Sequence, residues 1–393
     1  MSLLDALIAS ASKREAQHLH RTRRIQAERE GAFATMNGQR LLNFSSNDYL
    51  GLSQHTDVLK AFKNGAEKFG VGSAGSALVS GYFITHQALE QQAAELFGYE
   101  ACLYVGSGYL ANIGVLQTLL NEQSLCVQDK LNHACLIDGA RFSGCTLKRY
   151  AHQDLMAAEK LCATANNENI FLVSDGVFSM DGDAADLPAL ARIANHSNAT
   201  LMIDDAHGVG VIGDSGLGSL QASQLDAEQV PILIIPAGKA LGGQGALILS
   251  KQIIIQHLVE AARPYLFSTA PAPAMASALS QALHCLHTQP EHHARLRDNI
   301  QLFTRLACAA KLPILPSHSA IQPLMAGSNE RALWLAEQMR QKGFWLSAIR
   351  PPTVPVGKAR LRITLTALHE AEHISALVNT LQTLLERPDD FAH

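Results

Sequence analysis

Five short stretches, at residues 101–105 (A-C-L-Y-V), 169–174 (N-I-F-L-V-S), 200–203 (T-L-M-I), 231–235 (P-I-L-I-I) and 246–249 (A-L-I-L), are apolar at almost every position rather than at every second one. A strand with one face in water alternates, whereas a strand that is apolar throughout has to be covered on both faces. The segments between them, among them 86–97, 109–120 and 187–196, have the spacing and length of helices. Strands alternating with helices build a mostly parallel sheet with helices on either side, so an α/β fold is expected. Open sheets of this kind bind ligands just past the carboxyl ends of their strands. Ser107, Asp204 and Lys239 stand at such positions.

At 393 residues the chain exceeds one ordinary core, and two domains are expected. We assign residues 1–45 to an N-terminal helix and arm, 46–285 to a large domain and 286–393 to a smaller α+β C-terminal domain. Leu3, Leu4, Leu7, Ile8 and Ala11 predict an amphipathic helix across residues 2–29, which includes the basic cluster Arg21, Arg23 and Arg24. Beyond the sheet, one long helix is expected at 284–310, strands at 321–325, 344–349 and 360–365, and helices at 330–342 and 369–387.

A formal net charge of -4 supplies no general attraction to nucleic acid or to an anionic membrane, so neither partner is expected. The seven cysteines are scattered without C-x-x-C spacing, which points to reduced thiols rather than a disulfide framework or a metal site. No uncharged apolar run is long enough to span a bilayer. Asp5 interrupts the only apolar patch near the N-terminus, where no cleavage pattern follows, and a cytoplasmic location is expected.

Lys239, in P-A-G-K-A-L-G-G, is a lone lysine among small residues at the end of an apolar run. Poor solvation disfavours its ammonium form and frees the amine to attack a carbonyl as a Schiff-base former. Upstream, Gly106-Ser107-Gly108 joins a strand to a helix, the arrangement in which backbone amides bind phosphate. A carboxylate at Asp204, a lysine at Lys239 and this turn together meet the separate demands of pyridoxal 5'-phosphate. His133 is available to stack on the ring, and His207 and Ser179 to reach its hydroxyl. Each also has a plain reading: a surface lysine on a glycine-rich turn, a core histidine at 133, a helix cap at Ser179, a surface carboxylate at Asp204.

The chain resembles the α-oxoamine synthases, within the aminotransferase-like pyridoxal-phosphate enzymes of fold type I. The resemblance covers essentially the whole chain. It is carried by N-F-S-S-N-D-Y-L-G-L (43–52), the glycine-serine loop to Gly81, H-Q-A-L-E (86–90), G-V-F-S-M-D-G-D (176–183), D-D-A-H-G (204–208), G-K-A-L-G (238–242) and A-I-R-P-P-T-V-P (348–355). It implies an aminotransferase-like fold with a large sheet domain and a small α+β domain. It also implies that Lys239 bonds to the cofactor, Asp204 pairs with its pyridine nitrogen, His133 stacks on it, Ser179 and His207 contact its hydroxyl, and the Gly108-Tyr109 backbone meets its phosphate. By the same match Arg362 grips an amino-acid carboxylate with Asn47 nearby, and Arg21 and Thr353 contact the acyl substrate. Ser268 and Thr269 match a segment that reaches the neighbouring site of a homodimer.

The last of those stretches points to the branch that serves biotin biosynthesis, and so to a decarboxylating condensation of L-alanine with a pimeloyl thioester of coenzyme A or acyl carrier protein. A glycine-using member of the family, a relative without tight cofactor binding and a transaminase are the alternatives. The chain departs from the family's pattern at Pro236, where a threonine hydroxyl usually binds the phosphate; losing one charge-assisted hydrogen bond costs roughly 1.5–3 kcal/mol. Ala74, Ala77, Leu78 and Val209 also replace more usual residues.

Overall fold

The computed structural model describes residues 2–386; Met1 and residues 387–393, and with them the expected helix end at Arg387, lie outside the described residues. The described residues divide into two compact units, one formed by 48–179 and 183–294, the other by the residues up to 47, 180–182 and those from 295 onward.

The larger unit is built on a seven-stranded sheet in the order Ala101–Val105, Ala246–Ser250, Ile232–Pro236, Thr200–Asp204, Ile170–Asp175, Leu125–Asp129, Thr146–Tyr150. The last five of these run parallel to one another, and Ala246–Ser250 runs antiparallel to both its neighbours. That reversal follows from chain length: the turn between Pro236 and Ala246 is too short for the crossover that a parallel return needs. Four of the strands, Ala101–Val105, Leu125–Asp129, Ile232–Pro236 and Ala246–Ser250, are buried at every residue. The edge strand Thr146–Tyr150 is buried only at Tyr150, so its sequence T-L-K-R-Y carries a weaker apolar signal. Val115 and Leu116 of helix Gly108–Leu119 and Leu136 of helix Ala134–Ser143 pack on one face, against Leu103, Val173, Met202, Ile232 and Ile234.

The smaller unit holds a four-stranded sheet, Gln26–Glu30, Phe33–Met36, Gln39–Asn43 and Phe344–Trp345, and a three-stranded one, Ile321–Gly327, Ala359–Thr364 and Ser347–Ile349. Three expectations are corrected. The helix expected over 2–29 ends at Ala16, and Gln26–Glu30 is a strand. His18 adopts a left-handed φ of 54° after the helix, and Gly31 at φ 54° turns Gln26–Glu30 back onto Phe33–Met36, so backbone pairing rather than burial makes that polar segment a strand. The helix expected over 284–310 is two helices, Pro273–Thr288 and Pro290–Ala309, because Pro290 has no amide and holds Gln289 at φ -123°, ψ 71°. The strand expected over 344–349 divides between two sheets: Phe344 and Trp345 pair with Leu42 and Asn43, whereas Ser347, Ala348 and Ile349 pair with Arg362, Leu361 and Arg360.

Helix Leu3–Ala16 buries none of its residues, and Leu3 is 79% exposed. Among the described residues no helix is long and apolar enough to cross a membrane.

Candidate active site

In the larger unit the carboxyl ends of the parallel strands carry the chemistry. Strand Thr200–Asp204, the central strand of the sheet, ends at Asp204, which is 3% exposed. One carboxylate oxygen, Oδ2, accepts from Asn112 Nδ2 at 2.5 Å, and Oδ1 accepts from the Ala206 amide at 3.0 Å. Asn112 lies in the middle of helix Gly108–Leu119 among apolar neighbours and is fully buried, so this hydrogen bond gives a buried amide its partner.

The same helix supplies an anion site. Ser107 caps it, accepting from the Leu110 amide at 3.2 Å, while the Ser107 carbonyl accepts from the Ala111 amide at 2.9 Å. The Gly108 and Tyr109 amides precede these and have no partner within the helix, which leaves them to an anion at its positive end. A Cβ on Gly108 would lie 2.8 Å from Pro236 Cγ, so the pyrrolidine ring occupies the space beside this turn. The Tyr109 side chain points elsewhere, its hydroxyl donating to Asp138 Oδ2 at 2.5 Å.

His133 begins helix Ala134–Ser143; its amide donates to Asp175 Oδ2 at 2.7 Å and its Nδ1 lies 2.8 Å from Cys135 Sγ. Burial holds the His133 imidazole below its usual pKa, and the charge on Lys239 pushes the same way, against Asp204 and Asp138. The Lys239 charge also acts on Cys135 and Asp175. Lys239, Asp204, His133 and Asp175 thus converge, from four separate segments, on one place. Lys239 itself sits in a turn closed by the Gly242 amide donating to its carbonyl at 2.8 Å.

His207 is buried, with Nδ1 2.6 Å from Tyr49 Oη. Ser179 lies on a tight hairpin closed by the Val177–Ala184 bridge and by the Phe178 amide donating to the Asp183 carbonyl at 2.9 Å. His152 braces that hairpin, its Nε2 2.9 Å from Asp183 Oδ2 and its Nδ1 3.1 Å from both oxygens of Asp129. Ser268 and Thr269 precede Ala270, whose amide donates to the Gly75 carbonyl at 3.0 Å in the glycine-serine loop.

In the smaller unit two of the expected pairs are in contact. Arg362 donates from Nη1 to Asn47 Oδ1 at 3.0 Å and to Thr364 Oγ1 at 3.0 Å. Arg21 donates from Nη2 to Thr353 Oγ1 at 3.3 Å, beside Arg350, which donates to the His18 and His20 carbonyls. Arg360, two residues from Arg362 on the same strand, donates to Asp181 Oδ1 at 2.7 Å and to the Met180 carbonyl at 3.1 Å.

Asn112, Tyr49, Asp175, His152 and Arg360 were not singled out by sequence. A lone asparagine inside an apolar helix, and an arginine two positions from another in A-R-L-R-I-T, were usable signals. His152 had none, because its partners lie at positions 129 and 183.

The profile of the family described as aminotransferase class I and II matches residues 39–381. The 8-amino-7-oxononanoate synthase of Stenotrophomonas maltophilia is 44% identical over 98% of this chain and 95% of its own length. That of Serratia proteamaculans is 43% identical over 97% and 99%. Among solved structures, a serine palmitoyltransferase with pyridoxal phosphate superposes with a TM-score of 0.92 at 26% identity, covering 98% of both chains. The 8-amino-7-oxononanoate synthase of Francisella tularensis superposes with a TM-score of 0.77 at 28% identity, over 88% of this chain and 98% of the other.

Proposed function

The chain belongs to the aminotransferase class I and II family, and on that premise we propose that it condenses L-alanine with a pimeloyl thioester, with loss of carbon dioxide, as the 8-amino-7-oxononanoate synthases of biotin biosynthesis do. The observation that carries this reading is the convergence of Lys239, Asp204 and His133 at the carboxyl ends of the strands in a chain so similar to those synthases.

These residues fit pyridoxal 5'-phosphate. Asp204, a buried carboxylate steadied by Asn112 and the Ala206 amide, suits a protonated ring nitrogen. The Gly108 and Tyr109 amides suit the phosphate, and with Pro236 beside them they take it without a hydroxyl from that position. Lys239 would hold the aldehyde carbon, His133 would lie on the ring face, and Ser179 and His207 would take the ring hydroxyl. When bound, the cofactor supplies an electron sink for a carbanion at the alanine Cα.

The chain's own groups do the rest. Arg362, its guanidinium steadied by Asn47 and Thr364, takes the alanine carboxylate as a two-pronged donor. Lys239 Nζ removes the Cα proton and later returns one. Burial favours the uncharged form of the His133 imidazole. Arg21 and Thr353 contact the acyl chain. Ser268 and Thr269 reach the neighbouring site of a homodimer, and the enzyme works in the cytoplasm, a setting supported by seven scattered cysteines without the spacing of a disulfide framework.

The test is turnover of alanine against glycine with pimeloyl, acetyl and succinyl thioesters, with the product identified. Alanine with pimeloyl thioester is expected to win, and turnover only with glycine overturns the substrate assignment. Wild-type protein is expected to be coloured with bound cofactor and Lys239→Ala colourless; a wild type that cofactor cannot colour overturns the catalytic reading.

A further inference from the structure

Three of the parallel strands end in an aspartate: L-C-V-Q-D at Asp129, and the neighbouring pair F-L-V-S-D and T-L-M-I-D at Asp175 and Asp204. The register makes these two residues direct partners. Partners on adjacent parallel strands lie about 4.8 Å apart and present their side chains to the same face. Both are buried, Asp175 at 4% exposure and Asp204 at 3%. Two carboxylates presented to the same face from neighbouring strands of a low-dielectric site oppose each other's ionisation.

We propose that Asp175 and Asp204 carry one negative charge between them, that Asp175 holds the proton, and that Asp175 acts thereby as a positioning residue for His133 and for the charge on Asp204. The assignment of the proton follows from the donors. Asp204 has two, from Asn112 and the Ala206 amide, whereas Asp175 has one, the His133 amide at 2.7 Å. The surrounding charges agree. Burial first, then the charges of Asp204 and Asp129, push the Asp175 carboxyl well above the usual carboxylate range, and the His133 amide and Lys239 pull it down by less. A neutral Asp175 ties down the His133 backbone without placing a second negative charge beside the one that faces the cofactor's ring nitrogen. The consequence for the cofactor rests on the functional reading above; the protonation itself is a property of the chain alone.

The experiment is infrared spectroscopy of the full-length protein labelled with 13C-aspartate, at pH 8, cofactor-loaded and cofactor-stripped. The label leaves out Glu90, whose burial raises its pKa to about 7, and the pH leaves out Asp205, raised by burial to about 6. The expected result is a protonated-carboxyl band that the label moves and that Asp175→Asn lacks. Absence of any label-sensitive band in the wild type overturns the proposal, and this measurement needs no variant to fold. Asp175→Asn keeps a neutral side chain with an acceptor for the His133 amide, so it is expected to bind pyridoxal phosphate about fivefold more tightly than Asp175→Ala, the worth of one neutral hydrogen bond. Equal affinities overturn the positioning role. A missing band in protein that still colours with cofactor refutes this inference alone, whereas protein that never colours refutes the functional reading.

Discussion

The contact between Gly108 and Pro236 allows a sharp test of how the phosphate site is built. In Gly108→Ala the new Cβ would fall 2.8 Å from Pro236 Cγ and 2.9 Å from Pro236 Cβ. The proline ring cannot swing aside, because Pro236 ends a strand buried at every residue and pairs directly with Ala246. The start of helix Gly108–Leu119 has to move instead, by several tenths of an ångström. Overpacking of this kind costs about 1–3 kcal/mol, offset by up to ~1 kcal/mol from the better helix propensity of alanine. At the middle of these ranges the net loss is about 1–2 kcal/mol, which lowers the melting temperature by about 1 °C per kcal/mol in a chain of 393 residues. The same shift displaces the Gly108 and Tyr109 amides, and one misplaced charge-assisted hydrogen bond is worth roughly 1.5–3 kcal/mol, or about 10- to 100-fold in cofactor affinity. Thermal melts without cofactor and absorbance titration with it measure the two effects separately. Pro236→Ala in the Gly108→Ala background removes the obstructing ring and is expected to recover most of both losses, a strongly non-additive pair. Gly108→Ala protein that melts and binds cofactor like wild type, or a double variant no better than the single one, refutes the argument.

Other substitutions probe the supports around the site. Burial works against a charge on His152, but its bonds to Asp129 and Asp183 raise its pKa from 6.5 to about 10. A raised pKa stabilises the fold fully below 6.5 and loses that effect as pH rises through about 10, so the stability gap between wild type and His152→Gln should be constant below 6.5 and close towards pH 10; denaturation midpoints across that window check it. Asn112→Ala removes a donor from the Asp204 carboxylate and is expected to weaken cofactor binding roughly tenfold or more in the same titration. Arg360→Ala breaks the ion pair between a buried arginine and the partly exposed Asp181 and should cost about 2 kcal/mol in chemical denaturation; a loss below about 1 kcal/mol would place that pair among surface salt bridges instead.

Much of the larger unit was legible because its strands have one local cause. Residues 101–105 and the helix at 187–196 matched their observed bounds residue for residue, since a run apolar throughout, or a helix opened by Asp186 with proline in its first turn, needs no distant partner to be recognised. The errors fell where pairing or one proline overrode the local pattern. Gln26–Glu30 is polar but for Ala27 and is extended only through its hairpin, Pro290 cut an unbroken helical spacing, and the run at 344–349 serves two sheets.

The site divides along the same line. Lys239, Asp204, His133 and the Ser107-Gly108 turn were readable because each sits where a strand ends or a helix begins, and these boundaries are written in neighbouring residues. Their supports were not. Asn112 reaches Asp204 across 92 positions, Asp175 takes the His133 amide across 42 and His152 meets Asp183 across 31. Such hydrogen bonds depend on strand order and register, which arise only when the sheet assembles, so residue types along the chain could name the groups that react but not those that hold them in place.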